Sequence, residues 1–348
     1  MSSVDVTHEL LPAWRDAWIG REYWPNPAGL PRDPVHASDI LRYTTAVRDP
    51  SPQWRDRDAA LAASYADLAA PPGFVECFSP NYLHYHSLSG TEFLHRLLPF
   101  ENPWGPDWTP LMLVRHERWT IDRPIVVGDV ITGKSVITDI GWNPARGSRP
   151  DMLSIEFTKE YRATDGQRVA QVVWDMGFLE SALTVSQRPD EDATERPIPL
   201  ESPTERRPDS AALTIGQVVA QSTRLFDVEA QVSWSAAVWD LGLPHIDADY
   251  ARKAYGLPHV VVAGPFVNAS MATLVTGWLR PADRIVSHHG RFRRPVVGND
   301  RVTFTARLIE LAEQDDGQEC TLRVEAHNQR KELVAESLTT CRLARSTA

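Results

Sequence analysis

The chain has 348 residues, 42% of them apolar, and carries a formal net charge of −10. It is long enough for two domains of ordinary size, and its acidic balance without a basic run argues against nucleic acid as a partner. The sequence contains neither roughly 20 consecutive apolar residues nor a basic-then-apolar leader, so we expect a soluble cytoplasmic protein without a membrane partner.

The three cysteines, Cys77, Cys320 and Cys341, are odd in number and far apart in the sequence, and they form no CxxC motif. This pattern indicates neither a disulfide framework nor a thiolate zinc site. We expect the three cysteines to be small residues of the core or the surface.

The first predicted element is a helix over residues 39–47, with Ser38 as its N-cap, that ends near Asp49. The segment 75–108 follows and is rich in aromatic residues, proline and glycine. It suits either the wall of a wide pocket or a surface loop packed by its own rings. Within it, His84 and His86 alternate as two metal ligands on one strand face would. Apart from His95, no third ligand follows, so we predict no metal site.

The rest of the first half consists of strand-like runs separated by polar turns, at residues 118–137, 152–163 and 167–180. Residues 186–210 contain five prolines and almost no large apolar side chains, which predicts an extended linker. We therefore predict an N-terminal domain over residues 1–185 and a C-terminal domain over residues 211–348.

The second half repeats this order of elements. A predicted helix ends at Asp240, and the small, apolar stretch 264–279 is typical of a buried helix. Strand-like runs follow at residues 290–309, 318–327 and 332–343. The motifs at 118–137 and 290–309 match, with Pro124 and Asp129 lying 171 residues before Pro295 and Asp300. We predict an α+β double hot-dog fold: two antiparallel sheets, each of about four strands around a central helix, joined into a pseudo-dimer with one continuous sheet.

The candidate catalytic residues are Asp240 and His245. Gly242 and Pro244 between them break any helix, so the chain turns and can bring the two side chains together. A carboxylate beside an imidazole of near-neutral pKa can hold one water molecule and exchange its protons, as adding water to an activated alkene requires. The alternative is structural: Asp240 caps a turn and His245 lies on a surface loop.

This motif resembles the signature Asp-x-Asn-Pro-x-His-x-Asp of the MaoC-like family, the (R)-specific enoyl-CoA hydratases and dehydratases. Asp240, His245 and Asp247 take its first, sixth and eighth places. Residues 250–265 are similar to the family's turn into the central helix, and residues 292–300 to its Arg-Pro-Val-x-x-Gly-Asp strand. The resemblance covers nearly all of residues 211–345.

Three positions depart from the family pattern. Gly242 stands where the family has Asn, and Pro244 lies one place later than the usual proline. Ala263 replaces the usual histidine before Gly264. These departures bear on substrate and rate more than on fold.

In the first half, Asp49, Trp54 and Asp56 occupy the corresponding places. An indole N–H cannot take up a proton, so this half is expected to lack acid–base function, and Asp49 to be structural. The half resembles the FAS1-type dehydratase N-terminal domains of the family. That resemblance implies that it completes the sheet and houses the acyl tail, with Trp54 among the substrate contacts.

The resemblance implies a hydro-lyase that adds water to a trans-2-enoyl thioester, or removes it from a 3-hydroxyacyl thioester. Coenzyme A would be part of the substrate, with no separate cofactor. Asp240 and His245 would position and deprotonate the water, and the Gly264 amide would hydrogen-bond the thioester oxygen. Asp247 and Arg293 are the further expected substrate contacts.

Several neighbouring residues leave two interpretations open. Arg291, Arg293 and Arg294 form a compact basic cluster that either meets the coenzyme A phosphates or lies on a solvated face. His288 and His289 either approach the site or face solvent. The protein is expected to form a homo-oligomer or to pair with a second hot-dog chain. The alternative functions are a non-catalytic scaffold or acyl-binding subunit, a thioesterase, or a tailoring dehydratase of secondary metabolism.

Overall fold

The computed structural model describes residues 9–23, 33–78, 103–104, 111–146, 150–179, 206–207, 213–315 and 317–345. The first half contributes four strands to the sheet: β1 (Leu111–Ile121), β2 (Ile131–Asn143), β3 (Met152–Ala163) and β4 (Arg168–Leu179). The second half contributes five: β5 (Val218–Phe226), β6 (Arg284–Phe292), β7 (Asp300–Gln314), β8 (Gly317–Asn328) and β9 (Leu333–Ala344).

All nine strands form one antiparallel sheet in the order β2-β3-β4-β1-β6-β9-β8-β7-β5. The two halves meet where β1 pairs with β6, and Arg118 lies directly opposite His289 there. These two residues are related by the 171-residue offset, so a pseudo-two-fold axis passes between them. The predicted double hot-dog fold with a continuous sheet is confirmed.

The strands bury one face because their apolar residues recur at every second position. In β7, Val302, Phe304, Ala306 and Leu308 are all buried, while the residues between them are more exposed. This face packs against the helices.

The first half contains α1 (Leu11–Trp18), α2 (Ala37–Ala46), α3 (Arg57–Ala62) and two short 3-10 helices, Pro52–Trp54 and Pro72–Phe78. The second half contains α4 (Val228–Val238), α5 (Leu243–Ile246), α6 (Ala248–Tyr255) and α7 (Gly264–Trp278). Twelve of the 15 residues of α7 are buried, as its composition predicted. The counterpart expected in the first half falls largely between Phe78 and Leu111, outside the described residues. None of the described helices combines the length and hydropathy of a membrane span.

Two local predictions were wrong. Helix α2 has His36 as its N-cap, not Ser38, because the Asp39 carboxylate accepts a hydrogen bond from the His36 amide at 3.0 Å and fixes the earlier start. The second half has a fifth strand, β5, which precedes its helices and pairs with the edge of β7.

Arg224 on β5 connects the two halves. Its guanidinium is buried and donates to the carbonyl oxygens of Ala46 (2.7 Å) and Val47 (3.0 Å) at the end of α2. It also lies 4.3 Å from the centre of the Phe266 ring. Burial lowers the pKa of Arg224 to about 9. The last carbonyls of a first-half helix are thus satisfied by a second-half side chain.

Two features differ from what sequence spacing suggests. Cys320 and Cys341 are directly paired across β8 and β9, and both are buried free thiols. Arg207, inside the stretch predicted as a linker, is also buried and forms an ion pair with Asp283 at 3.0 Å. The rest of that stretch, apart from Arg206, lies outside the described residues.

Candidate active site

A cavity of about 210 Å³ lies where the start of β1 meets the end of β6, beside the start of α7. Both halves of the chain line it. The second half contributes polar groups that include Asp240, His245 and Gly264. The first half contributes a largely apolar wall of Met112, Leu113, Val114, Trp174 and Met176.

His245 is oriented by the chain that follows it. Its Nδ1 lies 2.8 Å from the carbonyl oxygen of Val261, which can only accept a hydrogen bond, so Nδ1 carries the proton. In the neutral imidazole, the other ring nitrogen, Nε2, then has a free lone pair. It lies 3.8 Å from Oδ2 of Asp240. That distance is too long for a direct hydrogen bond, but an oxygen atom about 2.8 Å from each group would bridge them.

The turn that carries this pair explains the departures from the family motif. A left-handed residue, Trp239, ends α4, and α5 is a single turn with Gly242 as its N-cap. Pro244 fits because it lies in the first turn of α5, where no intrahelical N–H bond is lost. A Cβ on Gly242 would lie 3.2 Å from the His245 ring and 3.5 Å from Oδ1 of Asp240. Glycine therefore keeps the space between the two groups open.

Asp240 is only partly satisfied. Its Oδ1 is buried and has no hydrogen-bond partner among the described residues. A buried carboxylate oxygen without a donor is costly in free energy, so the described part of the protein leaves this carboxylate poorly stabilised.

Gly264 begins α7 and lines the same cavity. The first amides of a helix have no intrahelical acceptor and lie at the positive end of its dipole. The preceding residue, Ala263, has its own amide bonded to Oε1 of Gln231 at 3.2 Å. A Cβ on Gly264 would lie 3.4 Å from the Phe292 ring, so this position is tightly packed.

The structure places other predicted site residues elsewhere. Asp247 caps α6, where its carboxylate accepts from the amides of Asp249 (2.8 Å) and Tyr250 (3.0 Å), and it does not line the cavity. Trp54 is buried and does not line the cavity either.

The three arginines of the basic cluster differ in their contacts. Arg293 and Arg294 line the cavity, whereas Arg291 does not. Arg293 forms an ion pair with Glu336, its Nε lying 3.0 Å from Oε1. No ion pair of Arg294 is found within the described part of the chain, so its exposed guanidinium is the better placed to meet an anionic ligand.

Neither alternative for His288 was right, because the residue is fully buried beneath α7. Its Nε2 lies 2.8 Å from Oδ1 of Asn268, and its Nδ1 lies 2.8 Å from Oγ1 of Thr339. Desolvation lowers the pKa of His288 to about 3. His289 points to the other face of the sheet, where its Nε2 lies 3.3 Å from Nδ1 of His116.

The corresponding place in the first half is a second cavity of about 140 Å³, lined by residues that include Trp54 and Thr276. Asp49 behind it is fully buried, and burial raises its pKa. Its carboxylate accepts from the Trp54 indole (3.1 Å), the Thr276 hydroxyl (3.0 Å) and the Ser51 amide (3.0 Å). Three protein donors thus satisfy Asp49, in contrast to Asp240.

No group of three or more His, Cys, Asp or Glu side chains suited to a metal ion occurs in the described ranges. His84, His86 and His95, and most of the segment 75–108, lie outside those ranges, so the predictions made for them stay predictions.

Sequence reasoning missed the first-half wall of the cavity and Tyr255. Val114 and Met176 lie opposite each other on β1 and β4, and Trp174 lies two residues before Met176. Their alternation predicts a buried strand face. That this face meets the second half's site follows only from the β1–β6 pairing.

The fold and the site together define a double hot-dog protein with an Asp/His pair in a shared cavity. A family model described as "FAS1-like, dehydratase domain region" matches residues 17–172. A UPF0336 protein of Parafrankia sp. (strain EAN1pec) is 30% identical over 138 residues, which cover 39% of this chain and 78% of that protein. A UPF0336 protein of Thermobifida fusca (strain YX) is 30% identical over 156 residues, which cover 44% and 90%.

Solved structures agree with this fold. A protein described as a "MaoC-like dehydratase" is similar with a TM-score of 0.69 at 18% identity, over 94% of this chain and 99% of that one. A conserved hypothetical protein from Mycobacterium tuberculosis, described as having a double hot-dog fold, gives a TM-score of 0.61 at 14% identity, over 89% and 92%. The chain belongs to the family of the UPF0336 proteins, and it shares the double hot-dog fold of the structures described as MaoC-like dehydratases.

Proposed function

We propose that this protein is a hydro-lyase that adds water to a trans-2-enoyl thioester, or catalyses the reverse dehydration of a 3-hydroxyacyl thioester. The observation that carries the proposal is the orientation of His245. Its bond to Val261 leaves Nε2 free and directed toward Asp240, inside a cavity with an apolar wall. The names of its structural relatives support this class of reaction.

In the hydration direction, one water molecule would lie between the Asp240 carboxylate and Nε2 of His245. The carboxylate accepts a hydrogen bond from one O–H of the water and orients it, and Nε2 takes the proton of the other O–H as the oxygen attacks C3. The alkene electrons move toward C2 and the thioester oxygen. The imidazolium of His245 then returns its proton to C2, so one water molecule is added, His245 is neutral again and Asp240 keeps its negative charge.

Negative charge develops on the thioester oxygen during this attack. The Gly264 amide, at the start of α7, would donate a hydrogen bond to that oxygen, and the helix dipole favours the same charge. Loss of one such donor typically costs about 10²- to 10³-fold in kcat.

Arg294 supports coenzyme A as the carrier. Its guanidinium lines the cavity, is exposed, and suits the phosphates of a nucleotide. Arg293 contributes less because Glu336 already neutralises it.

The test is hydration of a panel of trans-2-enoyl-CoA thioesters by the full chain, followed as loss of the conjugated-thioester absorbance with the product identified by mass. Asp240→Asn and His245→Gln should each lower kcat by at least about 100-fold. Asp247→Asn is the matched control in the same turn, because Asn caps a helix as well as Asp does. It should retain the parent rate.

Equal rates in the parent and both site variants would refute the assignment. Activity found only when a second hot-dog chain is added, and dependent on that chain's residues, would favour the scaffold alternative. Release of the free acid would favour a thioesterase.

A further inference from the structure

We infer that the first-half cavity is a second ligand site, which binds a free carboxylate attached to an apolar body. This cavity of about 140 Å³ lies where the end of β1 meets the start of β6. It is separate from the candidate active site, because α7 lines the active site with Gly264 at its start and this cavity with Thr276 near its end. These two positions are about 18 Å apart along the helix, at about 1.5 Å per residue.

The two cavities are built from equivalent parts of the two halves. Residues 121–125 line the first-half cavity and residues 292–296 line the candidate active site, at the 171-residue offset of the repeat. Residues 283–285 and 112–114 line the same two cavities at the same offset. The cavities therefore lie at opposite ends of the β1–β6 pair, and they differ chiefly in their side chains.

Positive charge occupies different places in the two cavities. In the candidate active site, Arg294 lies at an exposed position, and Leu113 belongs to the apolar wall. In the first-half cavity the equivalent of Arg294 is Arg123, which the Asp129 carboxylate neutralises through hydrogen bonds of 2.8 and 2.9 Å. The equivalent of Leu113 is Arg284. The cation of the first-half cavity thus lies in the wall.

Arg284 is partly buried and is held by neutral groups. Its Nη1 donates to the carbonyl oxygens of Pro281 (2.6 Å) and Asp283 (2.9 Å), and its Nη2 donates to that of Ala63 (2.6 Å). Its Cζ lies 3.9 Å from the centre of the Tyr65 ring, which lines the same cavity. Across the described ranges no carboxylate forms an ion pair with Arg284, so its charge is fixed in the wall without a counter-ion.

A second arginine lies beside the first. Arg342 is directly opposite Arg284 in the β6–β9 pairing, and both residues line the cavity. Side chains at opposite positions project from the same face, and like charges there destabilise the pair. Arg342 is exposed, and no described residue forms an ion pair with it, although Glu319 lies opposite it on β8. An anion bound between the two guanidinium groups would remove their repulsion.

The carboxylates of the cavity are already paired. Asp283 forms ion pairs with Arg207 at 3.0 Å and Arg280 at 3.2 Å, and Asp122 forms one with Arg168 at 2.6 Å. The described lining contains four arginines and only these two aspartates. This local excess of positive charge occurs in a chain whose net charge is −10. It favours an anionic ligand.

The remaining lining sets the class of that anion. It is largely apolar or aromatic and includes Trp54, Ile121, Pro124, Leu279 and Ile285. Because Arg284 lies in the wall, an anion that meets it is inside the cavity and attached directly to the apolar body. A carboxylate matches the paired N–H groups of a guanidinium. The phosphates of coenzyme A, at the far end of the pantetheine arm, suit an exposed arginine better.

The test measures binding to the full chain by titration calorimetry at fixed ionic strength. The probes are straight-chain carboxylates from acetate to octanoate, together with benzoate. Each is paired with its neutral amide, which has nearly the same shape. For the best-fitting body, we expect the carboxylate to have a Kd at least about tenfold lower than the amide.

Arg342→Glu locates the site and leaves the core intact, because Arg342 is exposed. Charge reversal there should raise the Kd of the carboxylate about tenfold. Arg294→Glu is the matched control, an equally exposed arginine that lines the other cavity. It should leave the Kd of the carboxylate unchanged.

The wild-type protein alone can overturn the inference, since equal Kd values for every carboxylate and its amide, or no binding at millimolar concentration, would contradict it. Carboxylate binding that is weakened by Arg294→Glu and not by Arg342→Glu would place the ligand in the candidate active site and contradict it too. Tighter binding of hexanoyl-CoA than of hexanoate, lost in Arg342→Glu, would overturn the assignment of a free carboxylate. None of these outcomes depends on whether the protein hydrates enoyl thioesters.

Discussion

Lowering the pH should destabilise the folded protein through His288. This residue is fully buried and neutral, with Nε2–H donating to Asn268 and Nδ1 bonded to the Thr339 hydroxyl. Desolvation, with a contribution from the charge of His289, lowers its pKa from the ordinary 6.5 to about 3. Between these two values the unfolded chain binds a proton that the folded protein excludes, so stability falls as the pH falls.

The size of the effect follows from the two pKa values. Each pH unit between them removes about 1.4 kcal/mol from the free energy of unfolding. From pH 6.5 to pH 5 the His288 contribution is therefore a loss of about 2 kcal/mol. Glu76 and Glu117 oppose this trend, because burial raises their pKa values and they stabilise the folded state as the pH falls.

The effect of His288 alone is obtained by comparing the protein with His288→Gln. Glutamine offers a donor group and an acceptor group, as neutral histidine does, but does not titrate. Urea unfolding at pH 7, 6 and 5 should show the free energies of the two proteins diverging by about 1.4 kcal/mol per unit below pH 6.5. Parallel pH dependences would refute the assignment of a buried neutral imidazole.

Two further substitutions test single contacts. Arg224→Met should lower the free energy of unfolding by about 2 kcal/mol in urea, because two buried carbonyls at the end of α2 lose their donor while the cost of burying the charge is removed. A stability equal to that of the parent would show that this contact between the halves contributes nothing. Arg294→Ala should raise KM for an enoyl-CoA thioester about fivefold, and leave KM for the same acyl group on pantetheine unchanged because pantetheine lacks the nucleotide phosphates. An equal change for both thioesters would refute the phosphate contact.

Much of the fold could be predicted because its signals are local. The strand-like runs at 152–163 and 318–327 correspond closely to β3 and β8. In both runs, the alternation of apolar and polar residues in the sequence predicts the alternation of buried and exposed positions in the strand. Helix α7 was predicted from its uniformly apolar composition. The start of α2 was not, because Ser38 is a good N-cap by type and the competing bond between Asp39 and His36 decides the boundary.

The site was predictable only in part, because half of it depends on long-range pairing. The turn from Asp240 to His245 is local, and its glycine and proline indicate that the two side chains approach each other. Trp174 reaches the same cavity only because β1 pairs with β4 on one side and β6 on the other. Likewise, the direction of His288 depends on which face of β6 lies under α7. Sequence alternation gives two faces but does not say which one is covered.

The most direct test of the proposed functional difference between the halves compares the two equivalent aspartates in one enoyl-CoA hydration assay. Asp240→Asn should lower kcat by at least about 100-fold with little change in stability, because none of the described residues donates a hydrogen bond to Oδ1 of Asp240. Asp49→Asn should lower the free energy of unfolding by about 1–3 kcal/mol, since an amide NH₂ would face groups that donate to the carboxylate. Its folded fraction should keep the parent kcat. The reverse pattern, with kcat lost in Asp49→Asn and kept in Asp240→Asn, would place the chemistry in the first half and contradict the proposed site.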